Sequence, residues 1–392
     1  MVRLELTREE PTDRSEVDRY GRAAELFAEW QSAGVLTRDP APALYAYDQD
    51  FSLEGARQHR RGLLAALRIE PWDRRVVLPH ERTLSGPKRD RFELMRACRA
   101  NFSPIWGMYA RAPNATTELW ASISAQEPDQ EAVDRDGVTH RIWGVTDPGQ
   151  VRRFHEAVAD SPVYIADGHH RYETALAYEN ETCGSSPCSA DAAAHFTLAY
   201  LVDVADPGLI VLGTHRLIHS PHPLDAEQVR GTLEESFELE RADGPASMLD
   251  RLGADGRPAF GVWAPRLGLS AVARLHGDEV PESAAPGRSR AWRRLDLAAL
   301  HTLAIDRVYP EGTSVLSESG RLMYSRAVEE VEQAVGAGEV DIAFFVRHTS
   351  VHQVTDVADA GDLMPEKSTY FYPKPVTGLA IASLEGEISL GL

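Results

Sequence analysis

Residues 163–178 read Val-Tyr-Ile-Ala-Asp-Gly-His-His-Arg-Tyr-Glu-Thr-Ala-Leu-Ala-Tyr. The first four are apolar and rich in β-formers, which predicts the end of a buried strand. Asp167-Gly168 interrupts the run as a turn does. Helix formers follow, with Tyr172, Ala175 and Leu176 spaced to share one face. The unit is therefore a strand, a tight turn and a helix, with His169, His170 and Arg171 at the helix start. A helix start offers unpaired N–H groups and a partial positive charge. A glycine lets backbone approach a ligand closely, and an arginine grips phosphate through two parallel hydrogen bonds. Gly168, His170 and Arg171 thus form a candidate anion site suited to the phosphates of a nucleotide. Two adjacent histidines alone favour a solvated turn; the whole Asp-Gly-His-His-Arg string favours a ligand. No spaced third ligand accompanies the histidines, so no metal site is expected.

The surrounding composition narrows the ligand. The chain has 392 residues, enough for two domains or one large elaborated one, and is 43% hydrophobic and 26% charged, as a soluble globular protein is. Its net charge is −19, which disfavours nucleic acid and anionic membranes as partners and leaves room for a local basic pocket. There are three cysteines, Cys98, Cys183 and Cys188, a count that fits a reducing cytosol and a cytoplasmic protein. Cys183 and Cys188 are separated by Gly-Ser-Ser-Pro; two loop thiols are expected, with a labile pair or a weak metal clip as alternatives. The start, Met1 to Leu6, lacks the apolar core of a signal peptide. No apolar run of about 20 residues suggests a membrane span.

Further candidates lie along the chain. Val2 to Leu6 alternates and reads as a strand; Tyr20 to Ala33 reads as an amphipathic helix, and Ala43 to Tyr47 as a strand. The Arg57, Arg60, Arg61 patch reads as a solvated face. After the apolar Val76-Val77-Leu78 comes Pro79-His80-Glu81-Arg82-Thr83, then Lys88 and Arg91. Glu81 is a candidate general base or magnesium ligand, and Lys88 and Arg91 are candidate phosphate contacts. Helices are expected at 92–100 and 148–159, and strand character at 118–120 and 137–145. Thr214, His215 and Arg216 follow an apolar run and form a possible second anion contact. From about 220 the pattern is α+β, with strands at 259–264 and 269–275, a flexible loop at 277–290 and helices at 295–308 and 324–335. His348 and His352 stand four apart, but their apolar neighbours read as extended. Lys367, Ser368 and Thr369, in the aromatic tail 364–379, are further candidate contacts.

Several of these strings resemble the DUF1015 family of bacterial and archaeal proteins. They are the Asp-Gly-His-His-Arg turn, His80-Glu81-x-Thr83, the Asn101 to Trp106 string, Thr214-His215-Arg216 and the tail ending Thr377-Gly378-Leu379. The family usually has Pro-Thr-His-Arg where this chain has Gly213. It also usually carries an upstream segment with a Pro-Pro-Tyr-Asp stretch; this sequence starts late by comparison, which implies either that part of the usual architecture is missing or that the start is misassigned. The Asp167 turn is similar to the phosphate-binding turn of the ParB/sulfiredoxin-like superfamily, which includes free-serine kinases. The resemblance implies an α/β (α+β) fold: a ParB/sulfiredoxin-like nucleotide-binding core over 1–218, and a second α+β domain over 219–392 whose tail returns to the site. It implies a nucleotide-dependent phosphotransferase, serine-kinase-like, using ATP or ADP with magnesium and a small hydroxyl-bearing substrate. Gly168, His169, His170 and Arg171 would hold phosphates, with Glu81 or Asp167 orienting the hydroxyl. A nucleotide-hydrolysing switch is the alternative; a ParB-like DNA clamp suits the acidic balance least.

Overall fold

A computed structural model describes the chain apart from residues 12, 14, 16, 17, 83, 84, 111–115, 186, 187, 254, 255 and 389–392, and apart from the side chains of 85–87. Thr83 thus lies outside the described residues. The chain divides into two units, 1–209 with 373–392, and 210–372. The expected boundary at 218 falls inside the second unit, and the last twenty residues belong to the first.

The first unit is built on a mixed eight-stranded sheet, in line with the α/β expectation. Its strands are β1 (Leu44–Leu53), β2 (Ala56–Arg68), β3 (Val77–Leu78), β4 (Ile105–Tyr109), β5 (Gln130–Val133), β6 (Thr139–Val145), β7 (Val163–Asp167) and β8 (Phe196–Asp203), in the order β3-β7-β4-β8-β2-β1-β6-β5. β1 and β2 form a hairpin closed by Glu54 and Gly55, both at positive φ, the conformation that matches strand twist in a two-residue turn. β3 runs parallel to β7, pairing Val77 with Val163 and Leu78 with Tyr164. The segments that follow these two strands therefore emerge side by side.

Period-2 alternation gives the sheet two different faces. One carries Ala46, Leu63, Ile105, Ile165, Ala199 and Leu201 under helices. These are α1 (Asp18–Ser32), α2 (Ser85–Cys98), α3 (Thr117–Ser124), α4 (Pro148–Ala159) and α5 (His169–Cys183); α1 buries Tyr20 and Ala23 beside α2 rather than on the sheet itself. The other face carries Tyr47, Arg60, Trp106 and Tyr200, all fully buried. The returning segment lies on it: Arg60 donates to Gln49 Oε1 and to the Pro373 carbonyl, and Gln49 Nε2 donates to the Lys374 carbonyl at 3.4 Å. Arg60 stacks 4.0 Å from the Trp106 ring, so the basic patch is not one solvated face. Arg57 is exposed and pairs with Asp50, whereas Arg60 points the opposite way into the sheet.

The second unit holds a six-stranded antiparallel sheet, in the order 237–241, 269–275, 259–264, 342–345, 215–218, 322–325. Ile210–Leu212 pairs separately with Tyr370–Tyr372.

Several local expectations are corrected. Val2–Glu5 is a helical turn burying Leu4, not a strand; five residues are too few for alternation to decide. Residues 118–120 lie in helix α3, where Leu119, Trp120 and Ile123 meet the core at helical spacing. Tyr324 is in the edge strand Leu322–Ser325, and the helix starts only at Val328. His352 is on a helix, Val351–Asp359, begun by a Ser350/Gln353 capping box that outweighs the β-branched residues. The loop 277–290 is pinned rather than loose: Val280 is fully buried and Arg288 pairs with Asp362 at 2.6 Å. Cys183 and Cys188 are joined as a disulfide instead of standing as separate thiols.

Candidate functional site

β7 ends at Asp167, and α5 begins at His169 with Gly168 as its N-cap at φ 96°. Only glycine takes this left-handed conformation freely. A Cβ there would also stand 2.9 Å from Arg171 Nε. The turn thus folds Arg171 back over Gly168. α5 is fixed by its buried face. The Tyr172 hydroxyl donates to the Glu70 carbonyl at 2.8 Å and accepts from the Glu70 N–H at 2.9 Å, while Ala175 and Tyr178 enter the core.

Asp167 is the centre of the charge arrangement. Arg171 Nη2 donates to its Oδ2 at 2.8 Å, and Lys374 Nζ donates to its Oδ1. Arg171 Nη1 also donates to the Pro104 carbonyl at 2.6 Å, so the guanidinium is held on two sides. Burial pushes the Asp167 carboxyl up, but Arg171 and Lys374 outweigh it and hold it below the usual carboxylate range. Asp167 is thus an ionised anchor for two cations at a helix start.

Two buried histidines form the floor. The loop after β3 brings His80 against His169, with ring centroids 4.7 Å apart. The His80 N–H donates to His169 Nε2 at 3.3 Å, and His80 Nδ1 donates to the Ile165 carbonyl at 2.7 Å. Burial lowers His80 to about 4 and, with the neighbouring His80, His170 and Arg171, holds His169 well below its ordinary value. Both rings are neutral near pH 7. His169 is 5% exposed and has Nε2 occupied, so it supports the turn from inside. His170 and Glu81 are half-buried at the edges of the two loops.

Beside Arg171 lies a small, solvent-open cleft of about 40 Å³. Glu5, Arg91, Ser103, Arg171 and Thr174 line it. Ser103 Oγ donates to Glu5 Oε1 at 2.5 Å and lies 2.6 Å from Thr377 Oγ1. Arg91 Nη1 donates to the Glu5 carbonyl at 3.0 Å. Lys88 faces another way and pairs with Glu173 on α5.

The remaining sequence candidates gather in the second unit. Arg216 is fully buried and donates to the carbonyls of Thr214, Glu366 and Lys367. Burial lowers its guanidinium to about 10. His215 accepts from the Val346 N–H at 3.3 Å and packs on Phe345. Ser368 is buried and donates to the Pro365 carbonyl, Thr369 is half-buried, and Lys367 is exposed at φ 55°. Arg216 therefore holds its own loop in the interior.

Sequence reasoning missed Lys374, Glu5, Ser103 and Thr377 as site members. The tail's polar density was a signal for Lys374 and Thr377; nothing local marks Glu5.

The first unit thus presents a mixed sheet with paired cations at a strand-to-helix turn. The family model described as "Protein of unknown function (DUF1015)" matches residues 1–298, and the chain belongs to that family. No curated protein matches. Among solved structures, free serine kinase in complex with AMP is similar at 14% identity and TM-score 0.40, with 79% of this chain and 86% of that one covered. A conserved hypothetical protein from Pyrococcus furiosus is similar at 14% identity and TM-score 0.38, covering 80% and 94%. SbnI from Staphylococcus aureus is similar at 10% identity and TM-score 0.37, covering 83% and 87%. No helix among the described residues is long and apolar enough to cross a membrane.

Proposed function

We propose that this protein is a nucleotide-dependent phosphotransferase acting on a small hydroxyl-bearing metabolite, with a free hydroxy amino acid such as serine as the first candidate. The observation that carries the reading is the pair Arg171 and Lys374, both anchored on Asp167 at the start of α5. Two cations and a helix N-terminus meet there, the groups that bind a polyphosphate. The family's resemblance to serine kinases supplies the reaction class.

Phosphoryl transfer is accomplished mainly by positioning and charge neutralisation. Gly168 lets the phosphates approach backbone, Arg171 and Lys374 neutralise them, and His170 is placed to hydrogen-bond them. Asp167 holds the two cations in place, and Glu81, on the loop that follows the strand parallel to β7, is assigned to orient the hydroxyl. Arg91 is placed on the cleft with Glu5 and Ser103, where the acceptor would sit. Magnesium binds through one or two carboxylates and the substrate's phosphates. Asp167 faces cations and Glu5 faces Ser103 and Arg91, so neither carboxylate fits a protein-held magnesium, and no step here depends on one.

Calorimetric titration with ATP and ADP tests the binding half of the reading. Binding that is lost together with Arg171 supports it; no binding of either nucleotide contradicts it.

A further inference from the structure

The helix that begins at the Asp167 turn ends in a second cluster of reactive side chains. Cys183 closes α5, Cys188 follows after four residues, and His195 ends the short helical turn Ala193–His195. One ligand atom from each lies within 4.8 Å of the others. Among the described residues no other group of three or more His, Cys, Asp or Glu side chains is gathered this closely. All three are half-buried, and Cys183 packs against the main core cluster of the first unit. The backbone on the histidine side is fixed to the sheet, because the Ile69 N–H donates to the His195 carbonyl at 2.9 Å.

Glu179 stands one turn before Cys183 on α5, and His195 Nδ1 donates to its Oε1 at 2.7 Å. That tautomer leaves Nε2 with its lone pair. A carboxylate on the far nitrogen is the arrangement that orients metal-binding histidines and raises their basicity.

We propose that Cys183, Cys188 and His195 bind a thiophilic divalent cation, zinc by preference, once the Cys183–Cys188 bond is reduced. Two thiolates and an imidazole are a zinc donor set, and a Cys-x4-Cys spacing falls in the range such sites use. With Zn–S at about 2.3 Å, tetrahedral geometry places the sulfurs roughly 3.8 Å apart. The Cα atoms are 5.2 Å apart, so side-chain rotation suffices. Water fills the fourth position. The chemistry balances in two steps. A dithiol reductant gives the disulfide two electrons and two protons and becomes a disulfide itself. Zinc then takes both sulfurs as thiolates, and two protons leave to solvent. The disulfide is the metal-free, oxidised form of the same site.

Cobalt(II) titration of the full, reduced chain in the absence of oxygen tests this. One equivalent should produce thiolate-to-cobalt charge-transfer absorption that one equivalent of zinc abolishes. The oxidised chain, C183S and C188S should show none of it. E179Q should keep the absorption and bind about 10- to 100-fold more weakly, the cost of losing a ligand-orienting partner. Circular dichroism of each variant confirms the fold. Absence of the absorption in the reduced wild type overturns the proposal. So does H195A binding as tightly as wild type, which would mean two thiols capturing metal unaided.

Discussion

Lys374 places its ammonium on Oδ1 of Asp167, a residue 207 positions earlier in the chain. The contact ties the returning segment to the strand-to-helix turn, and it gives Asp167 a cation on each oxygen. Lys374→Ala should therefore weaken ATP and ADP binding about tenfold, roughly 1.4 kcal/mol. Calorimetry measures it, and Lys374→Arg should recover part of the loss. An unchanged dissociation constant would remove Lys374 from the phosphate contacts.

Arg171 is more strongly held than Lys374, on both Asp167 and the Pro104 carbonyl. Arg171→Ala should cost at least about 2 kcal/mol of nucleotide affinity, the scale of a lost charge-assisted contact. The same titration reads it, with the circular dichroism spectrum expected to stay that of the wild type.

Gly168→Ala probes the turn itself. An alanine at φ 96° costs about 1–2 kcal/mol, and its Cβ would press on Arg171 Nε and Nη2 at 2.9 Å. A lowered melting temperature together with weakened nucleotide binding is expected. A variant as stable as wild type would mean that the left-handed conformation is not required.

That turn was legible in the sequence because its strand, Asp-Gly break and helix face are all local signals. Tyr172 and Ala175 fall on the buried face that their spacing assigns to them. The tail's polar density marked the segment that carries Lys374, but the contact with Asp167 was not legible, since no local pattern reports which residue a returning segment meets. Arg60 failed for a related reason. Its charge suggested solvent, whereas strand alternation turns it toward Trp106 and the Pro373 carbonyl. Short stretches such as Val2–Glu5 carry too few residues for period 2 and period 3.6 to separate.

His80 gives the first unit a defined acid sensitivity. Its pKa is about 4 in the folded chain, below the ordinary value of 6.5, because burial disfavours the charged ring. Between those two values the unfolded chain binds the extra proton, so stability falls as pH falls. Above pH 6.5 the effect is absent, and below about 4 it saturates. Denaturant unfolding should show about 2 kcal/mol lost from this group between pH 7 and pH 5. His80→Asn should flatten that part of the slope; an unchanged slope would mean the ring is not buried neutral.

Glu81→Gln should bind nucleotide normally and lose most turnover. A positioned general base contributes roughly 10²–10⁴ in rate. Single-turnover kinetics at saturating nucleotide separate the two effects. Near-normal turnover would move the hydroxyl-orienting role from Glu81 to Glu5, the carboxylate that lines the cleft.

Acceptor-dependent phosphate transfer tests the central claim most directly. The purified chain is incubated with ATP or ADP and magnesium against serine, homoserine, threonine and small alcohols, and products are identified by mass spectrometry. The account predicts a phosphorylated acceptor, serine foremost, formed only with nucleotide and lost in Arg171→Ala. Nucleotide consumed at one constant rate whatever the acceptor, with free phosphate as the sole product, would contradict it.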